Sequence, residues 1–307
     1  MCAFVCVCVC AWELHCRGSE CVTAHTHPSS PLRMNTPVQQ IISENKDKFD
    51  AFVKELGADL ERSDVVGSGP FRDLWLVRFL IGFDWKIPVC SEKFRTMLKY
   101  REMYKMDDVR KKFQSGEMKP QDIPGYAEHH KHYVCTFHLS SGCARDMSPI
   151  NLEQTAKFNF QGIADIDART ADTYIMHNLE YHSHMCDTTS LETRCLKGYV
   201  KVMDLSGASM SHVSWVNKWA SKSKERKERL GFDIMECYPE MFSKVILIHS
   251  PMFFSLVWKV VKPFIPQRTC DKVSVQSNAK SGKAMVLENV DPSVMPVEFG
   301  GAWGGDW

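Results

Sequence analysis

Histidines and cysteines are the residues of this chain with the most versatile chemistry, because imidazole and thiolate groups bind transition metals. Histidines are grouped at 129–138 and at 177–184, and cysteines at 6, 8 and 10 form a Cys-x-Cys-x-Cys pattern. The cysteine pattern could hold a soft metal, but the histidine groups lack partners at the spacing of a zinc site. We therefore predict surface histidines, a poorly ordered segment around the cysteines, and no bound metal or cofactor.

The motifs that mark common enzyme classes are missing from the sequence. We find no Gly-x-Gly-x-x-Gly or Walker loop, no Gly-x-Ser-x-Gly elbow and no His-Glu-x-x-His pair. The glycines at 300–305 lack the preceding strand and following helix that phosphate binding requires. We predict that the protein is not an enzyme, although a triad assembled from distant residues would leave no motif.

The most apolar stretch of the chain lies at residues 251–265, where almost no polar face remains. A helix that is apolar all round must be buried or must meet lipid. Lys259 and Lys262 lie in the second half of this stretch, and their aliphatic stems can lie along apolar surface. Two interpretations follow: a core helix, or a lid over an apolar cavity with one face able to enter a bilayer.

The elements around this stretch fall into two parts. Helical spacing of apolar residues from 37 to about 113 predicts a small all-helical unit. Beyond it, strands alternate with helices, and this alternation is typical of an α/β domain with a mostly parallel sheet. Strands are predicted at 133–139, 199–205, 244–249 and 272–276, and helices at about 167–187, 211–230 and 251–261.

Charge and cysteine usage restrict the class of protein and its compartment. Lys and Arg number 38 and Asp and Glu 37, so the net charge of +1 argues against a dedicated nucleic-acid binder. Cysteines beyond position 21 are scattered singly, which suits a reducing compartment. The apolar run at 2–12 is too short to span a bilayer. We expect a cytoplasmic protein.

Several motifs, taken in order, carry a resemblance to a known family. They are Val-Arg-Phe-Leu at 77–80, Val-Met-Asp-Leu-Ser-Gly at 202–207, Tyr-Pro-Glu at 238–240, Ile-His-Ser-Pro-Met-Phe at 248–253, Lys-Pro-Phe at 262–264 and Pro-Val-Glu-Phe-Gly-Gly at 296–301. The chain resembles the CRAL-TRIO lipid-binding family, in its phosphatidylinositol/phosphatidylcholine transfer branch. The resemblance implies an α/β fold, in which a helical N-terminal subdomain precedes a lipid-binding bowl with a mostly parallel sheet and a gate helix. The predicted divisions are an extension at 1–36, the subdomain at 37–113, the lipid-binding domain at 114–301 and a tail at 302–307.

The resemblance also implies where a lipid would bind. The gate helix falls at 251–265, and its predicted gate and pocket residues are Phe253, Phe254, Val257, Trp258, Val261 and Phe264. The implied headgroup residues are Glu240, Thr269 and Lys272. A lysine binds phosphate as a point charge, a threonine hydroxyl donates to phosphate oxygens, and a carboxylate accepts from inositol hydroxyls.

One departure from the family pattern concerns the ligand. Members of this branch carry a basic pair after Arg-Phe-Leu, whereas this chain has Phe83 and Asp84 there. An acid therefore stands where a base is expected, and Lys86 could substitute only if the loop shifts. This departure favours a different hydrophobic ligand, such as a retinoid, tocopherol, sterol or squalene.

These observations lead to a prediction of function. We expect a monomer that associates transiently with a membrane surface, binds a phospholipid, phosphatidylinositol, in an apolar pocket and transfers or presents it between membranes. The first alternative is a carrier of one of the other hydrophobic ligands. The second is an adaptor module that has lost its ligand. No nucleic-acid partner is expected.

Overall fold

The structure is a computed structural model that describes residues 34–133, 135–139, 144–262 and 267–304. At 135–139 only the backbone is described. The cysteine pattern at 6–10, nearly all of the predicted extension and the end of the predicted tail lie outside these ranges.

The N-terminal part of the described chain is helical, as the apolar spacing predicts. Its helices are Val38–Glu44 (α1), Lys46–Leu56 (α2), Arg72–Gly82 (α3), Ile87–Tyr104 (α4) and Met106–Ser115 (α5). The sequence predicted one helix over 37–56, but Asn45 divides it. The Asn45 side chain donates to the carbonyl of Ile41 at 2.9 Å, and such local hydrogen bonds compete with helix formation. Helix α3 is buried along nearly its whole length.

The remaining helices are spread among the strands. Tyr126–His130 (α6) precedes the first strand, and Phe160–Asp165 (α7) and Ala168–Thr193 (α8) lie between the second and third strands. Met210–Leu230 (α9) lies between the third and fourth strands, Phe254–Val261 (α10) and Gln267–Cys270 (α11) between the fourth and fifth, and Ala279–Asn289 (α12) after the fifth. Among the residues that the structure describes, no helix is both long and apolar enough to cross a bilayer.

The sheet is mostly parallel, which confirms the predicted α/β class. Its strands are Cys135–Leu139 (β1), Ile150–Gln154 (β2), Tyr199–Asp204 (β3), Phe242–Ile248 (β4) and Val273–Val275 (β5). They lie in the order β1-β2-β3-β4-β5, with β1 antiparallel to β2 and the others parallel. Val202 of β3 pairs with Leu152 on one side and Ile246 on the other, so the apolar residues lie in register.

Each face of the sheet has its own cover, because side chains alternate along a strand. On one face, Val202 and Ile246 pack with Val286 of α12. On the other face, Met203 and Leu247 pack with Phe254 of α10. We call this second surface the gate face. The helix predicted as a gate thus lies directly on the sheet.

Candidate functional site

The helix predicted as the gate is α10, which begins at Phe254, after a turn at Met252 and Phe253. It follows the carboxyl end of β4. His249, at this junction, has a positive φ of 51°, and its Nδ1 lies 2.7 Å from Oδ1 of Asp204. Phe254 is buried against the gate face, and its ring stacks with that of half-buried Trp258 at 6.4 Å.

The other side of the gate segment is exposed and carries apolar side chains beside the polar Ser255 and Lys259. Met252 is 91% exposed and Leu256 is 65% exposed, while Phe253 is half-buried. The side chains of Val257 and Val261 are not described, and Phe264 lies outside the described residues. Apolar side chains therefore face both the sheet and solvent, as a lid that can meet lipid requires.

The Tyr-Pro-Glu segment is held against the end of α3. A Cβ added at Gly82 would lie 2.6 Å from the Cβ of Pro239, so a larger residue at position 82 would force the two segments apart. Glu240 has a positive φ of 56°, and its carbonyl accepts from Nη1 of Arg78 at 2.7 Å. These contacts fix where the Glu240 carboxylate points.

Two of the three predicted headgroup residues meet directly. Nζ of Lys272 lies 2.6 Å from Oε2 of Glu240 and also donates to the carbonyl of Phe242 at 2.8 Å. Burial alone would raise the pKa of Glu240, but the charges of Lys272 and Arg268 hold that pKa below its usual range. Thr269 is half-buried in α11 and is not among the residues that line the adjacent cleft.

Arg268 belongs to this group, although sequence reasoning did not single it out. Its guanidinium contacts the Asp84 carboxylate and the carbonyl of Gly82, and its Nε lies 3.2 Å from Oε1 of Glu240. The acid that departs from the family pattern is thus paired with a base on a different element. We call Asp84, Glu240, Arg268 and Lys272 the cleft cluster.

The cleft cluster lines an open cleft of about 840 Å³, a size within the range of small-molecule sites. Ile81 and Trp85 supply apolar surface there, and Lys244 and Asn289 lie on another wall, 2.9 Å apart. The cleft therefore offers both charged groups and apolar surface to a ligand.

A second charged pair lies on the gate face of the sheet. Lys201 of β3 contacts Glu153 of β2, and both side chains are almost fully buried. Burial raises the pKa of Glu153, but the charge of Lys201 contributes to holding it down, at about 2. The gate face is therefore not uniformly apolar.

A buried network of charges lies behind the site, between the helical part and α8. Its members are Arg78, Arg101, Arg110, Glu180 and Asp187, all buried. Arg110 bonds Glu180 at 2.7 Å and Asp187 at 2.9 Å. Burial raises the pKa of Glu180, but Arg101 and Arg110 hold it at about 2. We call this the buried network. It meets the Tyr-Pro-Glu segment twice: Arg78 donates to the carbonyl of Glu240, and the Tyr238 hydroxyl donates to Glu180.

The histidines do not behave as predicted at every position. His129 is buried, because its ring stacks on Tyr174 at 4.0 Å and its Nδ1 lies 2.8 Å from the carbonyl of Gly125. Burial lowers its pKa. His182 is also buried, so the prediction of surface histidines is wrong for these two. Within the described ranges, no three His, Cys, Asp or Glu side chains come together as a metal site.

Comparison with known proteins adds the family. The model of the CRAL/TRIO domain matches residues 147–301, just over half of the chain. The phosphatidylinositol/phosphatidylcholine transfer protein SFH11 of Arabidopsis thaliana is 27% identical over 74% of this chain and 56% of its own length. The Sec14 cytosolic factor of Schizosaccharomyces pombe is 24% identical over 90% of this chain and 87% of its own length.

Relatives differ in how much of their length is matched. The chain spans 56% of the length of the Arabidopsis protein. It spans 43% of the length of the SEC14 cytosolic factor of Yarrowia lipolytica, which is 26% identical over 75% of this chain. A crystal structure of Sfh5 superposes with a TM-score of 0.43 and 14% identity, covering 80% of this chain and 82% of that one. By the match of its domain model, this chain belongs to the CRAL/TRIO domain family.

Proposed function

We propose that this chain binds a phospholipid, phosphatidylinositol, beneath its gate helix and transfers or presents it between membranes. The observation that carries the proposal is the meeting of Glu240 and Lys272 in an open cleft of a chain whose gate segment presents apolar side chains both to the sheet and to solvent. The Arabidopsis relative, named a phosphatidylinositol/phosphatidylcholine transfer protein, supports the same assignment. In this proposal residues 114–301 hold the lipid, and residues 37–113 support the site.

The gate helix provides the route of entry. Met252 and Leu256 are exposed and can enter a bilayer, while Phe254 and Trp258 pack on the gate face. Moving α10 off the sheet would expose that face to an acyl chain. Burial of a CH2 group contributes about 0.8 kcal/mol, so one chain of ~16 carbons contributes on the order of 10 kcal/mol before ordering costs.

The cleft cluster selects the headgroup. Within the cluster, Lys272 is a point-charge donor to phosphate and Glu240 accepts from ligand hydroxyls. Thr269, on helix α11 but not in the lining of the cleft, is proposed as a supplementary hydroxyl donor. A charge-assisted hydrogen bond contributes about 1.5–3 kcal/mol, far less than an acyl chain. The affinity for the lipid therefore comes mainly from its acyl chains, and the specificity for its headgroup comes from the cleft cluster. We expect a cytoplasmic monomer that contacts membranes transiently.

Transfer of labelled phosphatidylinositol between vesicles tests this proposal. Wild type should transfer the lipid, and Lys272→Ala should transfer it about tenfold more slowly, the factor that 1.4 kcal/mol represents. Lys111→Ala is the matched control, because Lys111 pairs with Asp64 at 2.6 Å on the surface and does not line the cleft. Equal rates for wild type and Lys272→Ala would contradict the headgroup assignment but leave the proposed binding and transfer of lipid in place.

A carrier of another hydrophobic ligand is the second candidate, since both cations of the cleft cluster already have carboxylate partners. A retinoid, tocopherol, sterol or squalene would not need to displace them. Native mass spectrometry of the lipids that co-purify with the chain separates the two candidates. A chain that co-purifies with no lipid and transfers none would instead support the adaptor alternative.

A further inference from the structure

The charges of the cleft cluster alternate in sign. Asp84 contacts Arg268, Arg268 contacts Glu240, and Glu240 contacts Lys272. Two carboxylates and two cations therefore lie side by side, and their formal charges cancel. An ordinary phosphate site instead carries a surplus of positive charge, because each phosphate brings at least one negative charge.

Arg268 is the more accessible of the two cations. Its side chain is 34% exposed, compared with 18% for Lys272, and both residues line the cleft. A guanidinium has five N–H donors in a rigid fork that suits phosphate oxygens. Hydrogen bonds to Asp84 and to the carbonyl of Gly82 use two of those donors, and Nε makes an ion-pair contact with Glu240. The guanidinium can therefore bind a ligand oxygen while it keeps its protein partners.

Asp84 fixes the position of Arg268 and limits the charge of the site. Asp84 is 64% exposed, so its carboxylate faces any group that extends from the cleft towards solvent. A second phosphate on a bound headgroup would bring negative charge beside this carboxylate, and like charges repel. A hydroxyl at the same place would instead donate a hydrogen bond to it.

We propose that Arg268 is the second phosphate-binding cation of the cleft, and that Asp84, which positions it, makes the site selective for a singly charged, hydroxyl-bearing phosphodiester over headgroups with further phosphates. The inference rests on the proposed function, and it names the headgroup class that the same site takes. It also gives the departure at Asp84 a role: the acid excludes, while the paired arginine binds.

Competitive transfer of two labelled lipids tests the inference. Vesicles contain equal amounts of phosphatidylinositol and a phosphatidylinositol monophosphate, and the ratio of the two transfer rates is measured. Wild type should favour phosphatidylinositol. Asp84→Asn keeps the size of the side chain but removes its charge. It should shift the ratio of transfer rates about tenfold towards the monophosphate, which corresponds to about 1.4 kcal/mol.

Arg268 variants supply the second arm. Arg268→Gln should lower phosphatidylinositol transfer about tenfold, and Arg268→Lys should restore part of it. Arg62→Gln is the control, since Arg62 pairs with Glu102 at 2.7 Å and does not line the cleft. Melting curves of all variants establish that they fold. Should Arg268→Gln fail to fold, Arg268→Lys and Asp84→Asn still decide the outcome.

Three outcomes would overturn the inference. If wild type transfers phosphatidylinositol but Asp84→Asn leaves the lipid ratio unchanged, the Asp84–Arg268 pair only joins the turn after α3 to α11, and the proposed function survives. If wild type carries no phosphatidylinositol, both fail together. The third outcome comes from displacement of a bound fluorescent lipid by two competitors, soluble glycerophosphoinositol and phosphatidylinositol vesicles. If both displace it at the same concentration, the cleft takes a free phosphate ester rather than a lipid headgroup.

Discussion

The buried network and the cleft cluster use the same chemistry in different surroundings. Both join basic side chains to carboxylates of the opposite charge. In the buried network every member is closed off from solvent, and the charges serve one another. In the cleft cluster, the Glu240 side chain is only 8% exposed, but those of Asp84 and Arg268 reach solvent. We therefore expect the exposed charges of the cleft cluster to affect ligand selection, and the enclosed charges of the buried network to affect the stability of the fold.

Arg78 connects the two regions. Its guanidinium donates to Asp187 at 3.3 Å and to the carbonyl of Glu240 at 2.7 Å. The buried network therefore determines the position of a backbone segment whose side chain serves the cleft. This arrangement predicts that the two regions respond differently to the same kind of substitution.

Arg110→Met should give the largest effect. It removes a fully buried cation and leaves Glu180 and Asp187 with one fewer partner each. Breaking a buried ion pair from one side costs about 3–5 kcal/mol, because a buried charge remains uncompensated. The free energy of unfolding, measured by chemical denaturation, should fall by that amount. A loss below about 1 kcal/mol would mean that the network is not structural.

Acid should weaken the buried network in a defined pH range. The pKa of Glu180 is about 2 in the folded chain, below the ordinary value of 4.5. A depressed folded-state pKa contributes stability above the unfolded-state value, and that contribution is lost as pH falls. Stability should therefore decline from about pH 4.5 towards pH 2, as measured by denaturation at a series of pH values. Constant stability across this range would contradict the assignment.

Lys272→Ala should change folding much less than Arg110→Met. Lys272 is partly exposed, and Glu240 keeps Arg268 as a partner when the lysine is removed. Partly exposed ion pairs contribute roughly 1 kcal/mol or less. We expect a loss of about 1 kcal/mol in unfolding free energy beside the tenfold loss of transfer. A loss as large as that of Arg110→Met would place Lys272 among the structural charges.

Apolar residues of the gate segment should show the same division with the smallest effect on folding. Leu256→Ser alters a largely exposed side chain, and such changes usually stay within about 0.5 kcal/mol. Binding of the Leu256→Ser variant to phosphatidylinositol-containing vesicles should nevertheless weaken about tenfold, since burial of a leucine side chain contributes about 1.5–3 kcal/mol. Val297→Ser is the control, because Val297 is exposed outside the gate segment. Unchanged vesicle binding by Leu256→Ser would exclude it from the membrane contact.

Strongly apolar elements of the fold could be predicted from the sequence. Strands predicted at 199–205 and 244–249 occur as β3 and β4 with small changes at their ends. Strand β2 was not predicted, because Asn151 and Glu153 resemble solvent-facing residues although they are buried. The contact of Glu153 with Lys201 across two strands explains the burial of Glu153, and it appears only once the strands are paired.

The candidate site was predictable only in part. Glu240 and Lys272 follow from motif positions, and the structure brings them together. Arg268 could not be inferred, because its partner Asp84 lies 184 positions away on a different element. Asp84 alone looked like a departure from the family pattern, whereas the pair restores a cation to the cleft. A compensating pair of charges on distant parts of the sequence can be recognised only when the fold is known.

Native mass spectrometry of the full chain, purified with the lipid that it retains, tests the central claim most directly. We predict one bound phosphatidylinositol per chain in wild type, and a smaller phosphatidylinositol-bound fraction in Lys272→Ala than in Lys111→Ala. A chain that retains a sterol, tocopherol, retinoid or squalene in place of a phospholipid, or no lipid at all, would contradict the account.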